Sequence, residues 1–319
     1  MSTQRRTTFH RFALPAVGLL AAAAATLSGC SSSSSGNPLS GGTAASGSVV
    51  VGSNNFAESV LLADIYGQAL ANKGVHVTYK YNIGSREVTY GLIKAGTISL
   101  LPEYNGALLA YLDKTSTQTS TSQVDSDINT HLASTLEILQ PSSAQDNDTL
   151  TLSKQEAANL SLSKGATISD FVAKLNGGQL VLGGSSEFQT RQQGVLGLES
   201  VYGLKSSQIS YKQLDSGGPL TEAALSTGQV QAGDLFTTDP TISQGGLLTL
   251  VDDKNIFGLQ DVLPLGYKSA ITTADANVLN AVSAKLDSSS LLTLDTEVQV
   301  QKQDPLTVAK QWLQTEGLS

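Results

Sequence analysis

Residues 99–112 read SLLPEYNGALLAYL. The left end is a strand-like apolar run and the right end is helix-like, with Pro102, Glu103, Tyr104, Asn105 and Gly106 between them. Pro102 is expected to end the strand and Asn105-Gly106 to turn the chain, after which ALLAYL (107–112) opens a helix. A strand passing directly into a helix is the unit from which α/β sheets are built. Tyr104 then either faces a ligand beyond the end of the strand or packs at a loop to finish the core.

The same unit recurs on both sides. VVVGS (49–53), VHVTYKYN (75–82) and TISLL (97–101) read as strands, and FAESVLLADIYGQALAN (56–72) and EVTYGLIKAG (87–96) as helices. A second series starts at TLTLS (149–153). It continues through TISDFVAKLN (167–176), QLVLGG (179–184), FQTRQQGVLGLESVYG (188–203), QISYKQL (208–214), PLTEAALSTG (219–228) and VQAGDLF (230–236). Two alternating series predict two α/β lobes with mainly parallel sheets. ANVLNAVSAKL and PLTVAKQWLQTEG read as C-terminal helices that return to the first lobe. The expected division is 49–148 for the first part of lobe 1, 149–257 for lobe 2 and 258–319 for the return.

The preceding residues have a different character. Arg5, Arg6 and Arg11 precede a short apolar run, and Leu27-Ser28-Gly29-Cys30 resembles a bacterial lipobox. Residues 1–29 therefore read as a cleaved lipoprotein signal and Cys30, the single cysteine, as the lipidation site; a plain secretory signal is the alternative. SSSSSGNPLSGGTAASGS (31–48) has no charge and almost no apolar side chain, so 30–48 is expected to tether the body to the outer face of the membrane. The chain of 319 residues carries a net charge of −8, and removing the three arginines of 1–29 leaves 16 − 27 = −11. That balance argues against a nucleic-acid partner.

In open α/β sheets ligands sit beyond the carboxyl ends of strands. Those positions hold Asn54, Gly84-Ser85, Tyr104, Phe188 with Arg191, Asp215-Ser216, and Phe236 to Asp239. This inventory of hydroxyls, amides, aromatics and one guanidinium suits a small polar solute. Catalytic sets are not apparent. His76 and His131 have no metal-ligand neighbours, and no nucleophile elbow, phosphate-binding glycine loop or H-E-x-x-H is present. The acid pairs Asp252-Asp253 and Asp234 with Asp239 read as solvated turns or helix caps, and the chain as a non-enzyme without cofactor or metal.

GSNNFAES (52–59), IGSREVTYGLIKAGTISLLPEYNGALLAYL (83–112), SSEFQTRQQG (185–194), GQVQAGDLFTTD (228–239) and LVDDKNIFGLQDVLP (250–264) together resemble, in order and spacing, the glycine betaine/carnitine/choline-binding proteins of ABC transporters. The resemblance implies a two-lobed type II periplasmic binding-protein clamshell, monomeric, with a ligand cleft between lobes that docks on a membrane permease. It also implies an aromatic cage around a quaternary ammonium group. Tyr104, Phe236 and Phe188 match its aromatics, Arg191 a carboxylate donor, and Asp239 the end of the threonine-aspartate motif. Four positions depart from the family pattern: Asn54 replaces a lysine, Ala107 a threonine, and Thr149 and Gln260 stand where tyrosines are expected. Loss of two cage faces, at roughly 0.5–2 kcal/mol each, would weaken betaine binding by about one to three orders of magnitude. The leading solute is betaine or choline; an amino-acid derivative or polyol, and a tethered sensor without transport, are the alternatives.

Overall fold

The computed structural model describes residues 47–116, 120–244 and 246–319, so Cys30, the signal segment and most of the tether lie outside the described residues. The first series contributes β1 (Ser48–Gly52), α1 (Ala57–Asn72), β2 (His76–Lys80), α2 (Arg86–Lys94), β3 (Leu100–Tyr104), α3 (Asn105–Leu112), α4 (Thr121–His131) and β4 (Leu136–Ile138). The second contributes β5 (Asp148–Leu152), α5 (Lys154–Asn159), α6 (Ile168–Leu175), β6 (Leu180–Gly184), α7 (Ser186–Thr190) and α8 (Val195–Ser200). It continues with β7 (Ile209–Gln213), α9 (Pro219–Ser226), β8 (Ala232–Phe236), α10 (Pro240–Ser243) and β9 (Leu248–Thr249). β10 (Val262–Tyr267), α11 (Thr273–Ser283), α12 (Ser288–Asp295) and α13 (Pro305–Thr315) follow.

The strands form two five-stranded sheets, ordered β2-β1-β3-β10-β4 and β7-β6-β8-β5-β9. Neither is wholly parallel. β10 runs antiparallel to β3 and β4, and β5 antiparallel to β8 and β9. Each reversed strand is the one by which the chain enters that sheet from the other, so the crossing itself imposes the reversal. The two crossings lie side by side. Val262 N–H donates to the Ala144 carbonyl at 2.9 Å and Asp146 N–H to the Gln260 carbonyl at 3.1 Å.

Strand alternation divides each sheet between two apolar layers. In the first sheet Val49, Val51, Leu100 and Val262 pack under α1 and α11–α13, while Leu101, Leu263 and Leu265 face α2, α3 and α4. α1 buries Leu61, Leu62, Ile65, Tyr66 and Leu70 and lacks a side-chain cap. Packing rather than capping holds it, as expected of a helix buried nearly all round. α6, α11 and α13 are instead fixed at their starts, by Thr167, Thr272 and Asp304 respectively.

Three sequence expectations change here. Asn105 and Gly106 open α3 directly after β3 rather than turning the chain before it. Pro102 does not end the strand: it lies inside β3, opposite Pro264 of β10. The Pro264 carbonyl accepts from Leu139 N–H at 2.9 Å, so the donor it lacks would point toward the β4 side and away from β3. β1 pairs with β3 only at Val51 and Leu100, so Pro102 faces no ladder partner on that side either. The run 188–203 is not one helix but ends α7 and starts α8, with Arg191 extended between them. A Cβ on Gly194 would collide with the Phe188 carbonyl, so the chain closes up there only because glycine is present.

Candidate functional site

The carboxyl ends of β1, β3, β6 and β8 converge between the sheets on a cleft with a cavity of about 60 Å³. Its wall begins with the PEYNG segment. Glu103 is fully buried and receives the guanidinium of Arg86, with Nε at 3.0 and 3.1 Å and Nη2 at 2.8 Å from its oxygens. Tyr104 lines the cleft and donates its hydroxyl to Glu58 at 2.5 Å. Burial, then the charge of Glu58, pushes the Tyr104 phenol well above its ordinary range, so it keeps its proton to donate. Asn105 Oδ1 accepts from Gly106 N–H at 2.8 Å and from Asp261 N–H at 2.9 Å, tying α3 to the return crossing. A Cβ on Gly106 would meet the Leu259 carbonyl, so this close approach also requires glycine.

Phe56 stands beside Tyr104 with ring centroids 6.0 Å apart, and beside Phe236 at 5.5 Å. The first residue belongs to the α1 start, the second to β3 and the third to the end of β8, so the three rings bridge the lobes. Phe188 also lines the cleft and packs on Phe257 at 6.3 Å. Arg191 lines it too, but its guanidinium Nη2 donates to both oxygens of Glu87 at 3.0 Å. Asn54 lies at the cleft with its Oδ1 accepting from Thr89 at 2.8 Å. Gln260 is there as well, yet its Oε1 accepts from Ala107 N–H at 2.9 Å and its Nε2 donates to the Phe257 carbonyl at 2.9 Å. Both polar ends of Gln260 are thus engaged with backbone.

Two expected residues lie elsewhere. Thr149 is turned away from the cleft: its hydroxyl donates to the Leu235 carbonyl at 2.9 Å. Strand alternation puts its neighbour Asp148 on the cleft side instead. Asp239 caps α10, accepting from Thr241 N–H at 2.7 Å, and lines an adjoining depression with Glu58 and Pro240 that shares Phe56 and Phe236 with the cleft. Asp234 is no solvated turn, being 1% exposed within β8 and on the cleft wall.

Sequence reasoning missed Phe56, Arg86, Asp148 and Asp234 as wall residues, and Glu58 behind them. Phe56 and Arg86 were both within reach, since each follows a strand end within a recognised motif. Asp148 and Asp234 carried no signal, because a buried carboxyl inside a strand reads locally like any other polar alternation. Among the described residues, no group of three or more His, Cys, Asp or Glu side chains could hold a metal ion. No described helix is long and apolar enough to cross a membrane.

Two lobes joined by paired crossings, with aromatic rings and carboxyls at the mouths of the strands, define a clamshell solute-binding protein. The family described as the substrate binding domain of ABC-type glycine betaine transport systems matches residues 47–315. The chain belongs to that family. It is 28% identical over 283 residues to the glycine betaine-binding protein YehZ of Escherichia coli K12, covering 84% of this chain and 90% of that protein. Among solved structures, a glycine betaine/carnitine/choline ABC transporter protein superposes with a TM-score of 0.65 at 18% identity, over 85% of this chain and 99% of the other. An ABC-transporter choline-binding protein in complex with choline gives 0.58 at 15% identity, over 85% and 89%. At those identities the two structures speak for the fold alone.

Proposed function

We propose that this chain is the extracytoplasmic binding component of an ABC importer and takes a small quaternary-ammonium osmoprotectant, of the kind glycine betaine or choline represents. The observation that carries the reading is the ring set Phe56, Tyr104 and Phe236, drawn from both lobes around one cleft. Aromatic faces attract a cation that cannot donate hydrogen bonds, and a cation held by rings of both lobes favours the closed form. The betaine-binding relative from Escherichia coli supports the same solute class. Phe188, Asn54, Gln260 and Arg191 complete the wall in this reading, and Cys30 carries the lipid that holds the body near its permease.

The test is a thermal-shift panel on the purified chain with betaine, choline, carnitine, amino acids and polyols. A ligand at about 100 times its dissociation constant stabilises the fold by roughly 2.7 kcal/mol, which moves the midpoint by several degrees. A shift with betaine or choline is expected. A shift confined to polyols or amino acids would keep the clamshell and discard the quaternary-ammonium solute. Lipidation is checked separately by detergent-phase partition, which Cys30→Ala should abolish.

A further inference from the structure

The cleft is more acidic than a zwitterionic solute requires. Four carboxyls line it, Asp146, Asp148, Glu187 and Asp234, against two guanidinium groups, Arg86 and Arg191. Each arginine already has its own carboxylate: Glu103 takes the Arg86 fork, and Glu87 takes Arg191. Arg191 still lies close enough to lower the pKa of both Asp148 and Asp234, and Arg86 that of Asp148, but among the described residues neither guanidinium donates to them.

The two aspartates face the same side of one sheet. β5 pairs with β8 so that Leu150 stands opposite Asp234 and Asp148 opposite Phe236, making the two carboxyls diagonal neighbours beside the Phe236 ring. Among the described residues Asp234 Oδ1 is buried and receives no donor, and the Asp148 carboxyl within hydrogen-bonding range of Asp234 is itself an acceptor unless one of the two holds a proton. Tyr211, whose hydroxyl approaches from β7, is occupied in donating to the Ser185 carbonyl at 2.5 Å. An orphaned carboxylate oxygen of this kind is costly to bury, and a ligand that brings both a positive charge and a donor removes the cost. A carboxylate arriving at the same place would instead meet like charge.

We propose that Asp148 and Asp234 determine specificity in this cleft, selecting a monocation that carries an O–H or N–H donor, the class of choline, over the net-neutral zwitterion betaine. The proposal rests on the quaternary-ammonium reading above and narrows it. The rings hold the cationic head while the orphaned Asp234 oxygen accepts from the ligand's hydroxyl. Burial, then the neighbouring Asp148 charge, pushes the Asp234 carboxyl well above its ordinary range, and Arg191 offsets this only in part.

Isothermal titration with choline, glycine betaine and tetramethylammonium, at one pH and one salt concentration, tests it on the unmodified protein. Choline should bind at least about tenfold more tightly than betaine, with tetramethylammonium, a cation without a donor, between them. Asp234→Asn should shrink the choline-to-betaine ratio by about tenfold, mainly through weaker choline binding, and Asp148→Asn, at the more open position, should act in the same direction. Betaine binding as tightly as choline to the unmodified protein would overturn the proposal while leaving the quaternary-ammonium reading intact. So would an unchanged ratio in both variants with their melting midpoints retained. No binding by any of the three would overturn both.

Discussion

Arg191 reaches across the cleft to Glu87, with its Nη2 3.0 Å from each carboxylate oxygen. Glu87 lies in the first turn of α2 in the first lobe, and Arg191 follows α7 in the second. Opening the clamshell therefore breaks this ion pair, which makes it a latch on the closed form. The two side chains are 34% and 46% exposed, so the pair adds only about 0–1 kcal/mol to overall stability. Glu87→Gln should leave the melting midpoint within a degree or two yet shift the ligand-free ensemble toward open forms. Small-angle scattering would show this as a larger radius of gyration. Added salt should produce the same change in the unmodified protein by screening the pair. Identical scattering from both proteins would remove the latch.

Behind the latch, Glu103 and Arg86 form a pair of another kind. Their side chains are 0% and 8% exposed. Truncating one partner strands the other charge in the interior, at a cost of about 3–5 kcal/mol. Glu103→Ala should therefore lower the denaturation midpoint far more than Glu87→Gln does. Chemical unfolding curves of the two variants, compared at equal slope, make the contrast directly.

Both residues stand inside stretches that were readable in the sequence, and the way they were readable shows where such reading stops. Strand and helix order followed from periodicity, because Val49 and Val51 on one side and Leu101 on the other are what two covered faces demand. Reversal of β5 and β10 was not legible: the direction of a strand is set by where the chain comes from, and a buried strand looks the same either way. Pro102 was misread for the same reason, since a breaker is harmless where no ladder partner needs its N–H. Tyr104, Phe188 and Phe236 were expected at the cleft, which they line, because they stand at or after strands in stretches that matched a family pattern. Thr149 was placed one residue away from the true wall residue, Asp148, and a period of two turns that slip into an opposite face. Pairing of Arg191 with Glu87, 104 residues apart, needs the fold itself.

The aromatic wall gives a graded expectation. Phe56→Ala and Phe236→Ala each remove one face, worth roughly 0.5–2 kcal/mol toward a buried cation, or about two- to thirtyfold in affinity. Tyr104→Ala removes a ring together with the donor to Glu58, so it should be the most damaging of the three. Tyr104→Phe separates the two contributions: ligand affinity should survive largely intact if the face is what matters. Titration calorimetry with whichever quaternary ammonium solute the panel selects would rank the four variants, and a Tyr104→Phe loss equal to that of Tyr104→Ala would argue against a cage.

Under that wall lies a set of acids whose protons are dictated by geometry. The Thr238 hydroxyl is 2.6 Å from Glu58 Oε2 and 2.7 Å from Asp146 Oδ1, and one hydroxyl proton cannot serve two carboxylates. At least one of the two acids must hold a proton. Asp295, at the end of α12, adds a third carboxyl within hydrogen-bonding range of Glu58, with Asp239 a further acid nearby and Gln299 donating to Asp295 Oδ1 at 3.0 Å. Burial, then the charge of Asp295, pushes Glu58 well above its ordinary range, and burial pushes Asp295 up to about 7. The unfolded chain releases these protons near pH 4, so between about pH 4 and 7 the folded state binds more protons than the unfolded one. Stability should therefore fall as pH rises through that window, and go on falling until the last acid of the cluster has lost its proton. Asp295→Asn takes one titrating acid out of the cluster and should flatten the slope, gaining most over the unmodified protein near pH 7 and least near pH 4. Melting midpoints at about pH 5 and about pH 7.5, for both proteins, decide the matter. A midpoint that rises with pH across this range in the unmodified protein would mean that the cluster is neutralised by something other than its own protons.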